Sequence, residues 1–383
     1  MALRILQLNS ARLYVGESAH ALNLTEALRG AGHQVWLGLR AGFWSFEVAT
    51  QRKLEPVPFI MQHRWWPPRD LSDMRKVAAL VRDNQIDLIH AHRGKDHWLA
   101  VLSVRLFRLG VPVVRTRHVV TPLKNSLANR WQARRTARLI VPSRAVETDV
   151  RGKPVYKPAQ IAFLPPGIEL TRYQAHGRRN EVRKELKLAA DAPVAVIVAR
   201  FARVKGHALL LEAWKQVVAA LPQAVLVLVG DGPLRAECEA QARTLGIHES
   251  LRFCGNLDPA KVPSILEAAD LGVLASLGSE GFSRAVLEYM TLKLPVAATN
   301  VGAVPDLVDD TNGRLVPPGQ PAELARIVRE LLKAAPETRA QLGQAGREKA
   351  ERAYSYAVWV GAHEKLYADV LAEMASKPRK VGG

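Results

Sequence analysis

The stretch "PVAVIVARFARVKGHALLLEAWKQVVAALPQAVLVLVGDG" (193–232) decides the fold. It opens on a β-branched apolar run, passes through a basic turn and a segment of helical period, and closes on a second apolar run ending in Gly-Asp-Gly. Two continuous apolar strands joined through a helix make a βαβ unit, with parallel strands covered on both faces. The alternation continues downstream through "SLRFCGN", "DLGVLAS", "LPVAATN" and "NGRLVPPG". Upstream it runs through "LRILQL", "HQVWLGL", "EPVPFI", "IDLIHAH", "VPVVRTRH", "ARLIVPS" and "QIAFLPP", with helical segments such as "HALNLTEALRGAG" and "LSDMRKVAALVRDN" between them. Two such series imply an α/β chain of two doubly wound, Rossmann-like domains, and the cleft between them is the expected ligand site. Pro-Gly turns leading into a charged helix at "PPGIELTRYQAHGRRNEVRKEL" set the boundary near 175, giving domains 1–175 and 176–354. The final helix, 355–376, carries Trp359, Leu366, Tyr367, Val370 and Leu371 and is expected to dock on a domain surface; "PRKVGG" reads as a mobile tail.

A chain of 383 residues, 48% hydrophobic and 23% charged, is globular and too long for one compact core. "MALRILQLNS" reads as a buried first strand, lacking the long apolar core and cleavage site of a signal peptide, and no window approaches the ~18 apolar residues of a membrane span. Cys238 and Cys254 have no metal or disulfide spacing and suit a reduced, cytoplasmic chain. The net charge of +18 is lopsided: residues 1–180 hold 29 Lys+Arg against 12 Asp+Glu, or +17, leaving 25 against 24, or +1, for the rest. Such a field attracts an anionic partner: nucleic acid, an acidic membrane face or a phosphorylated substrate.

The stretch "LGSEGFSRAVLEYM" (277–290) holds Glu280 and Glu288. Were it wholly helical, the two would be ~12 Å apart along the axis, beyond the ~5–9.5 Å of a hydrolytic carboxylate pair. The better reading starts a helix just after Gly281, so that the amides of Phe282, Ser283 and Arg284 face an anion. A diphosphate held there has Glu280 on one side for a sugar and Glu288 on the other for a ribose. Arg200 and Lys205, in "VARFARVKG", are placed to neutralise the diphosphate and its departure. The "VGDGPLRAE" turn suits close approach of a ligand or of neighbouring chain. G-x-G-x-x-G and G-x-x-x-x-G-K-[ST] patterns are both absent, against a nicotinamide dinucleotide site and a P-loop. No Asp-X-Asp stands at a strand end of this half, so no metal is expected to hold the diphosphate and no cofactor is implied.

In the N-terminal half, His90, His92, His97 and His118 lack a completing carboxylate or cysteine, which argues against zinc. His118 is expected near the reacting sugar, while His90 and His92 read as packed strand-end residues. "AGFWSFEV" and "HRWWPPRD" place Trp44, Trp65 and Trp66 in expected loops beside arginines, either as an interfacial anchor or lipid-linked acceptor site, or folded back on the core. The Arg-rich segment after Val113, with Arg115 and Arg117, suits phosphates on an acceptor or anionic lipid heads.

Arg200 with Lys205-Gly206, the "GDGP" turn, "RFCGNL", the Glu280–Glu288 pair and "VGAVPDLV" stand in an order that resembles the retaining glycosyltransferases of family 4, with the GT-B fold. Gly16-Glu17, "DLIHAH", His118, "VPSRAV" and "PPGIEL" extend the likeness over nearly the whole chain. The resemblance implies a nucleotide-diphosphate sugar bound by the C-terminal domain, an acceptor bound by the N-terminal one, and a last helix that crosses back to the first domain. It implies Arg200 and Lys205 on the diphosphate, Glu288 on the ribose, and Glu280 with the amides after it on the transferred sugar. Gly16 would approach the phosphates and His118 the reacting sugar. Two departures stand out: Gly281-Phe282-Ser283 follows Glu280 where the family usually has Ser-Phe-Gly, and Arg284 takes a position that is usually aliphatic. The first loop, "YVGESAH", has no clear Gly-Gly pair.

The expected activity is metal-independent transfer with retention, by front-face substitution, to an anionic glycan or glycolipid such as a lipopolysaccharide core. The expected location is the inner face of the plasma membrane, peripherally. Competing readings are a GT-B epimerase or phosphorylase and, from another class, a basic nucleic-acid binder; the 200–288 set has no use in the last, so nucleic acid is not an expected partner. The donor base and sugar are not legible.

Overall fold

The computed structural model describes residues 2–13, 16–62, 66–118, 121–175, 177–258, 260–278 and 280–376. Trp65 and the "PRKVGG" tail lie outside them. The chain forms two compact units, Met1–Pro166 with Ala357–Gly383 and Gly167–Tyr356. The first division thus falls ahead of the boundary expected near 175.

Unit 1 is built on strands β1 (Arg4–Asn9), β2 (Gln34–Arg40), β3 (Val57–Phe59), β4 (Leu88–Ala91), β5 (Val113–Thr116), β6 (Arg138–Val141) and β7 (Ile161–Phe163). They pair in the order β3-β2-β1-β4-β5-β6-β7, all parallel. Unit 2 holds β8 (Val194–Val198), β9 (Val225–Val229), β10 (Leu251–Gly255), β11 (Leu271–Leu274), β12 (Val296–Thr299) and β13 (Gly313–Val316), in the parallel order β10-β9-β8-β11-β12-β13. Each of these thirteen strands falls on an apolar run quoted above, β2 extending past its run by Arg40. The strands are apolar throughout rather than alternating because helices cover both faces: Leu226 and Leu228 pack with Trp214 on one side, Val227 and Val229 with Tyr289 and Met290 on the other.

In each sheet the connections change direction once, between β1 and β4 in unit 1 and between β8 and β11 in unit 2. The crevices outside the strands' C-terminal ends at those points are where doubly wound sheets bind ligands.

The final helix, Tyr356–Ala375, belongs almost entirely to unit 1 and buries Trp359, Val360, His363, Leu366, Tyr367 and Val370. Leu371 is half-buried. Ahead of it, Ile168 pairs in parallel with Ser355, and its amide donates to the Tyr354 carbonyl at 2.7 Å.

The aromatic stretch at 41–48 corrects one expectation. From Trp44 on it is not a loop but the helix Trp44–Gln51, because Ser45 and Ala49, one turn apart, face inward. The Ser45 hydroxyl donates to the Ala11 carbonyl at 2.7 Å. Trp44 and Trp66 stay exposed rather than folding back on the core, and Trp66 directly precedes the helix Pro67–Asp83.

Candidate functional site

The switch point of unit 2 gathers the residues singled out in 200–288. Arg200 follows β8 with its side chain exposed, and Lys205 closes the short 3-10 turn Arg203–Lys205. Glu280 follows β11, the strand next to β8, and is almost fully buried at 4% exposure. Its carboxylate pairs with the Lys205 ammonium and accepts the Ser276 hydroxyl at 2.5 Å. The two loops are also tied through the backbone, the Leu277 amide donating to the Val204 carbonyl at 2.8 Å. The cation expected on phosphates is thus paired with the carboxylate expected on a sugar.

Glycines let the backbone segments around this point pack directly against one another. At Gly302, φ is 54° and a Cβ would lie 2.0 Å from the Glu280 carbonyl oxygen, to which the Ala303 amide donates at 2.8 Å. Gly230, in the "GDGP" turn, would bring a Cβ to 2.2 Å from the Ala199 carbonyl. That turn therefore serves approach by the neighbouring segment, which resolves one of the two readings given above.

The helix after Glu280 is Arg284–Thr291, with Ser283 as its N-cap residue. The amides of its first turn have no partner within the helix, as at any helix start. Gly281 and Phe282 are half-buried, Phe282 beside Tyr354 with ring centroids 6.0 Å apart, while Ser283 is buried. Glu288 is buried at 8% exposure and accepts the Tyr173 hydroxyl at 2.7 Å. Burial, and beyond it the Glu288 charge, raises the Tyr173 phenol far above its ordinary range, so it stays a donor. Arg284 lies 3.7 Å from Glu288, one turn away on the same helix, rather than being free for a ligand.

In unit 1, His118 follows β5 and is half-buried. His92 follows the neighbouring β4 and is buried. The His118 Nε2 and His92 Nδ1 are 3.2 Å apart, and His92 Nε2 is 2.8 Å from Gln7 Oε1. An amide oxygen only accepts, so as oriented His92 donates to Gln7 and receives the His118 proton, leaving His118 Nδ1 as an acceptor. Burial first, then the charges of His92, Arg115 and Arg93, pulls the His118 pKa well below its usual value and keeps the ring neutral. His90 is held by Tyr367 and Thr116, both at 2.8 Å.

His20 joins His92 and His118, with ring nitrogens all within 4.8 Å of one another. A tetrahedral zinc, with Zn–N of ~2.1 Å, sets ligand nitrogens ~3.4 Å apart, against 3.2 Å between His92 Nδ1 and His118 Nε2. His20 was not singled out from the sequence, where it stands 72 residues before His92.

Gly16 opens the helix Gly16–Gly30 with open space where a Cβ would be. Glu17 pairs with Arg93 at 2.6 Å; burial raises its carboxyl above the usual range, with Arg93 opposing. Arg115 and Arg117, expected to meet an acceptor or lipid, are spent inside the unit. Arg115 reaches His97 Nδ1 at 3.0 Å; Arg117 is buried, donates to the Thr121 carbonyl and lies 4.0 Å from Asp149. Alternation along and after β5 turns these side chains inward, which a count of arginines does not reveal.

Sequence reasoning missed a pocket of about 570 Å³ at the switch point of unit 1, lined by Ser10, Arg12, Glu17, Arg40, Arg93 and Trp98 among others. Its walls come from the ends of β1, β2, β3 and β4. A larger hollow, about 1060 Å³, lies at the opposite, N-terminal edge of β5–β7 among Arg130, Arg134, Arg138 and Lys157. Its position on the wrong side of the sheet separates it from the chemistry.

Residues 16–172 match the family model described as Glycosyltransferase Family 4, and residues 178–349 the one described as Glycosyl transferases group 1. The chain is 28% identical over 330 residues to a D-inositol 3-phosphate glycosyltransferase 2 of Catenulispora acidiphila, spanning 79% of this chain and 75% of that protein. It is 30% identical over 293 residues to a 2-deoxystreptamine glucosyltransferase of Streptomyces kanamyceticus, spanning 72% and 75%. Among solved structures, the Anabaena HepE protein in complex with UDP aligns over 96% of this chain and 100% of its own, with a TM-score of 0.84 at 21% identity. That likeness establishes the fold. No helix among the described residues is long and apolar enough to cross a membrane.

Proposed function

This chain belongs to the family 4 glycosyltransferases of the GT-B fold, and from that premise we propose that unit 2 binds the nucleotide-diphosphate sugar and unit 1 the acceptor. Arg200, Lys205 and the amides at 282–284 take the diphosphate, with no metal between them. Glu288 exchanges the Tyr173 hydroxyl for the ribose hydroxyls. Glu280 gives up Lys205 to the phosphates and accepts hydroxyls of the transferred sugar. The observation that carries this reading is the Lys205–Glu280 pair at the switch point: one cation and one carboxylate, each the right partner for one half of the donor.

The transfer proceeds with retention at the front face. Arg200 and Lys205 stabilise the charge that grows on the departing phosphate, which takes the acceptor's proton. His118, neutral and with Nδ1 free to accept, orients a hydroxyl of the reacting sugar. The acceptor is an anionic glycan or glycolipid, and the enzyme works peripherally at the inner face of the membrane. Support for that location comes from the +17 of residues 1–180 and from the exposed rings of Trp44 and Trp66. Acceptors in the family differ widely, as inositol 3-phosphate and 2-deoxystreptamine in the names of two relatives illustrate.

A thermal-shift titration with UDP, GDP, ADP and CMP tests the donor site. A ligand at 100 times its Kd stabilises the fold by ~2.7 kcal/mol. One diphosphate should raise the melting temperature of the wild type and not of Glu288→Ala. No rise with any of them at millimolar concentration would overturn the reading.

A further inference from the structure

We propose that Arg12 and Arg40 form an anion subsite in the pocket at the switch point of unit 1, which takes a phosphomonoester group carried by the acceptor. The proposal rests on the reading of unit 1 as the acceptor unit.

Four cationic side chains line this pocket, Arg12, Arg40, Arg93 and Lys95. Two of them are already balanced: Arg93 by Glu17 at 2.6 Å and Lys95 by the buried Asp70 at 2.5 Å. Among the described residues, no carboxylate lies within ion-pair distance of Arg12 or Arg40. Both guanidinium groups instead sit over one aromatic ring, that of Phe43, at 5.8 Å and 4.3 Å from its centroid. A ring face offers only a weak partial charge, and two cations sharing it repel each other. Arg40 also keeps a buried Nε–H with no hydrogen-bond partner. Burial, and then the charge of Arg12, make its cationic form costly to hold. Two cations over one ring, with no carboxylate beside them and one N–H unpaired, suit an anion that accepts from both.

An anion that balances both arginines supplies about two negative charges and several acceptor oxygens. A phosphomonoester does so, and forks to guanidinium groups with good geometry. The pocket also fits such a group attached to a carbohydrate. Trp98, stacked on Trp131 with centroids 5.7 Å apart, offers an aromatic wall, and Glu17 and Ser10 offer acceptors and a hydroxyl.

The test titrates the full-length protein, saturated with whichever nucleoside diphosphate binds it, with sn-glycerol 1-phosphate and with glycerol. Filling the donor site first removes Arg200 and Lys205 as competing phosphate ligands. Binding of the phosphate but not of glycerol, weakened ~10-fold or more in both Arg12→Gln and Arg40→Gln and unchanged in Arg326→Gln, a charge-matched change on the exposed surface of unit 2, is the expected result. Arg12 is exposed, so Arg12→Gln reports even if Arg40→Gln fails to fold. A parallel arm uses phosphatidylcholine vesicles with phosphatidic acid, compared with vesicles of equal charge made with phosphatidylglycerol. Preference for phosphatidic acid, lost in the same variants, places the phosphate on a lipid; dependence on Arg12 and Arg40 in the soluble arm alone places it on a soluble acceptor. Glycerol phosphate binding that ignores both arginines, or no binding in either arm, overturns the proposal. Should no nucleotide bind, the titration is run on the free protein: binding that depends on Arg12 and Arg40 then upholds this subsite while the donor reading falls.

Discussion

Acidification should melt unit 1 before unit 2. Burial pulls the imidazoles of His90, His92, His97 and His118 well below their ordinary value, and that of His363 to about 4. All five belong to unit 1, and four of them form a chain of rings with His90 and His92 centroids 4.4 Å apart, His92 and His118 5.5 Å, and His90 and His363 6.0 Å. In unit 2 the comparable ring is His207, pulled to about 4 by burial and by Lys205. A histidine that stays neutral when folded and is protonated when unfolded makes the unfolded state bind more protons, so stability falls as pH drops below ~6.5. The loss continues down to the folded value, about 4 for His363 and His207. Each such ring costs ~1.4 kcal/mol per pH unit in that window. Between about pH 7.5 and about pH 5.5, unit 2 therefore loses about 1 kcal/mol through His207, and unit 1 several times as much through its five rings. That is a large part of the ~5–15 kcal/mol of an ordinary domain. Glu17, Asp73 and Asp96, whose carboxyls burial raises, act in the opposite sense, and stopping near pH 5.5 limits their share. Hydrogen exchange read by mass spectrometry, peptide by peptide, separates the two units. Equal loss of protection in both, or none in unit 1, would refute the reasoning. In His363→Leu the slope for unit 1 should flatten by about one ring's share.

Three further outcomes follow from the geometry of unit 2. Glu280→Gln frees Lys205 for phosphate, so a nucleoside diphosphate should bind as well as before or more tightly while transfer falls ~10-fold or more; loss of both together would contradict the exchange of partners. Gly302→Ala forces a Cβ onto the Glu280 carbonyl at positive φ and should cost at least ~1 kcal/mol of stability in denaturant melts, with activity falling alongside; an unchanged midpoint would deny the close approach. Excess EDTA should leave the transfer rate unchanged, and a rate restored only by added divalent ions would show that a metal shares the diphosphate.

The strands were legible because each is a run of apolar residues covered on both faces, such as Val194–Val198 and Val225–Val229, bounded by turns. Arg200, Lys205, Glu280 and Glu288 could be singled out by motif and order. What the sequence hid was pairing across the sheet. Lys205 and Glu280 stand 75 positions apart and meet only because β8 and β11 are neighbours. Arg12 and Arg40 meet over Phe43 only because β1 and β2 pair. The helix Trp44–Gln51 was missed because aromatics dominate its exposed first turn, and its burial rests on two small residues, Ser45 and Ala49. Arg115 and Arg117 misled for the opposite reason: they look like surface charge, yet they engage His97, a backbone carbonyl and Asp149 inside the unit.

The donor site is the central claim, and a crystal structure with a bound nucleoside diphosphate tests it most directly. The account predicts the diphosphate within hydrogen-bond reach of Arg200, Lys205 and the amides at 282–284, with the ribose on Glu288 and the Lys205–Glu280 pair opened. A nucleotide bound elsewhere, with that pair still closed and Glu288 still on Tyr173, would contradict it.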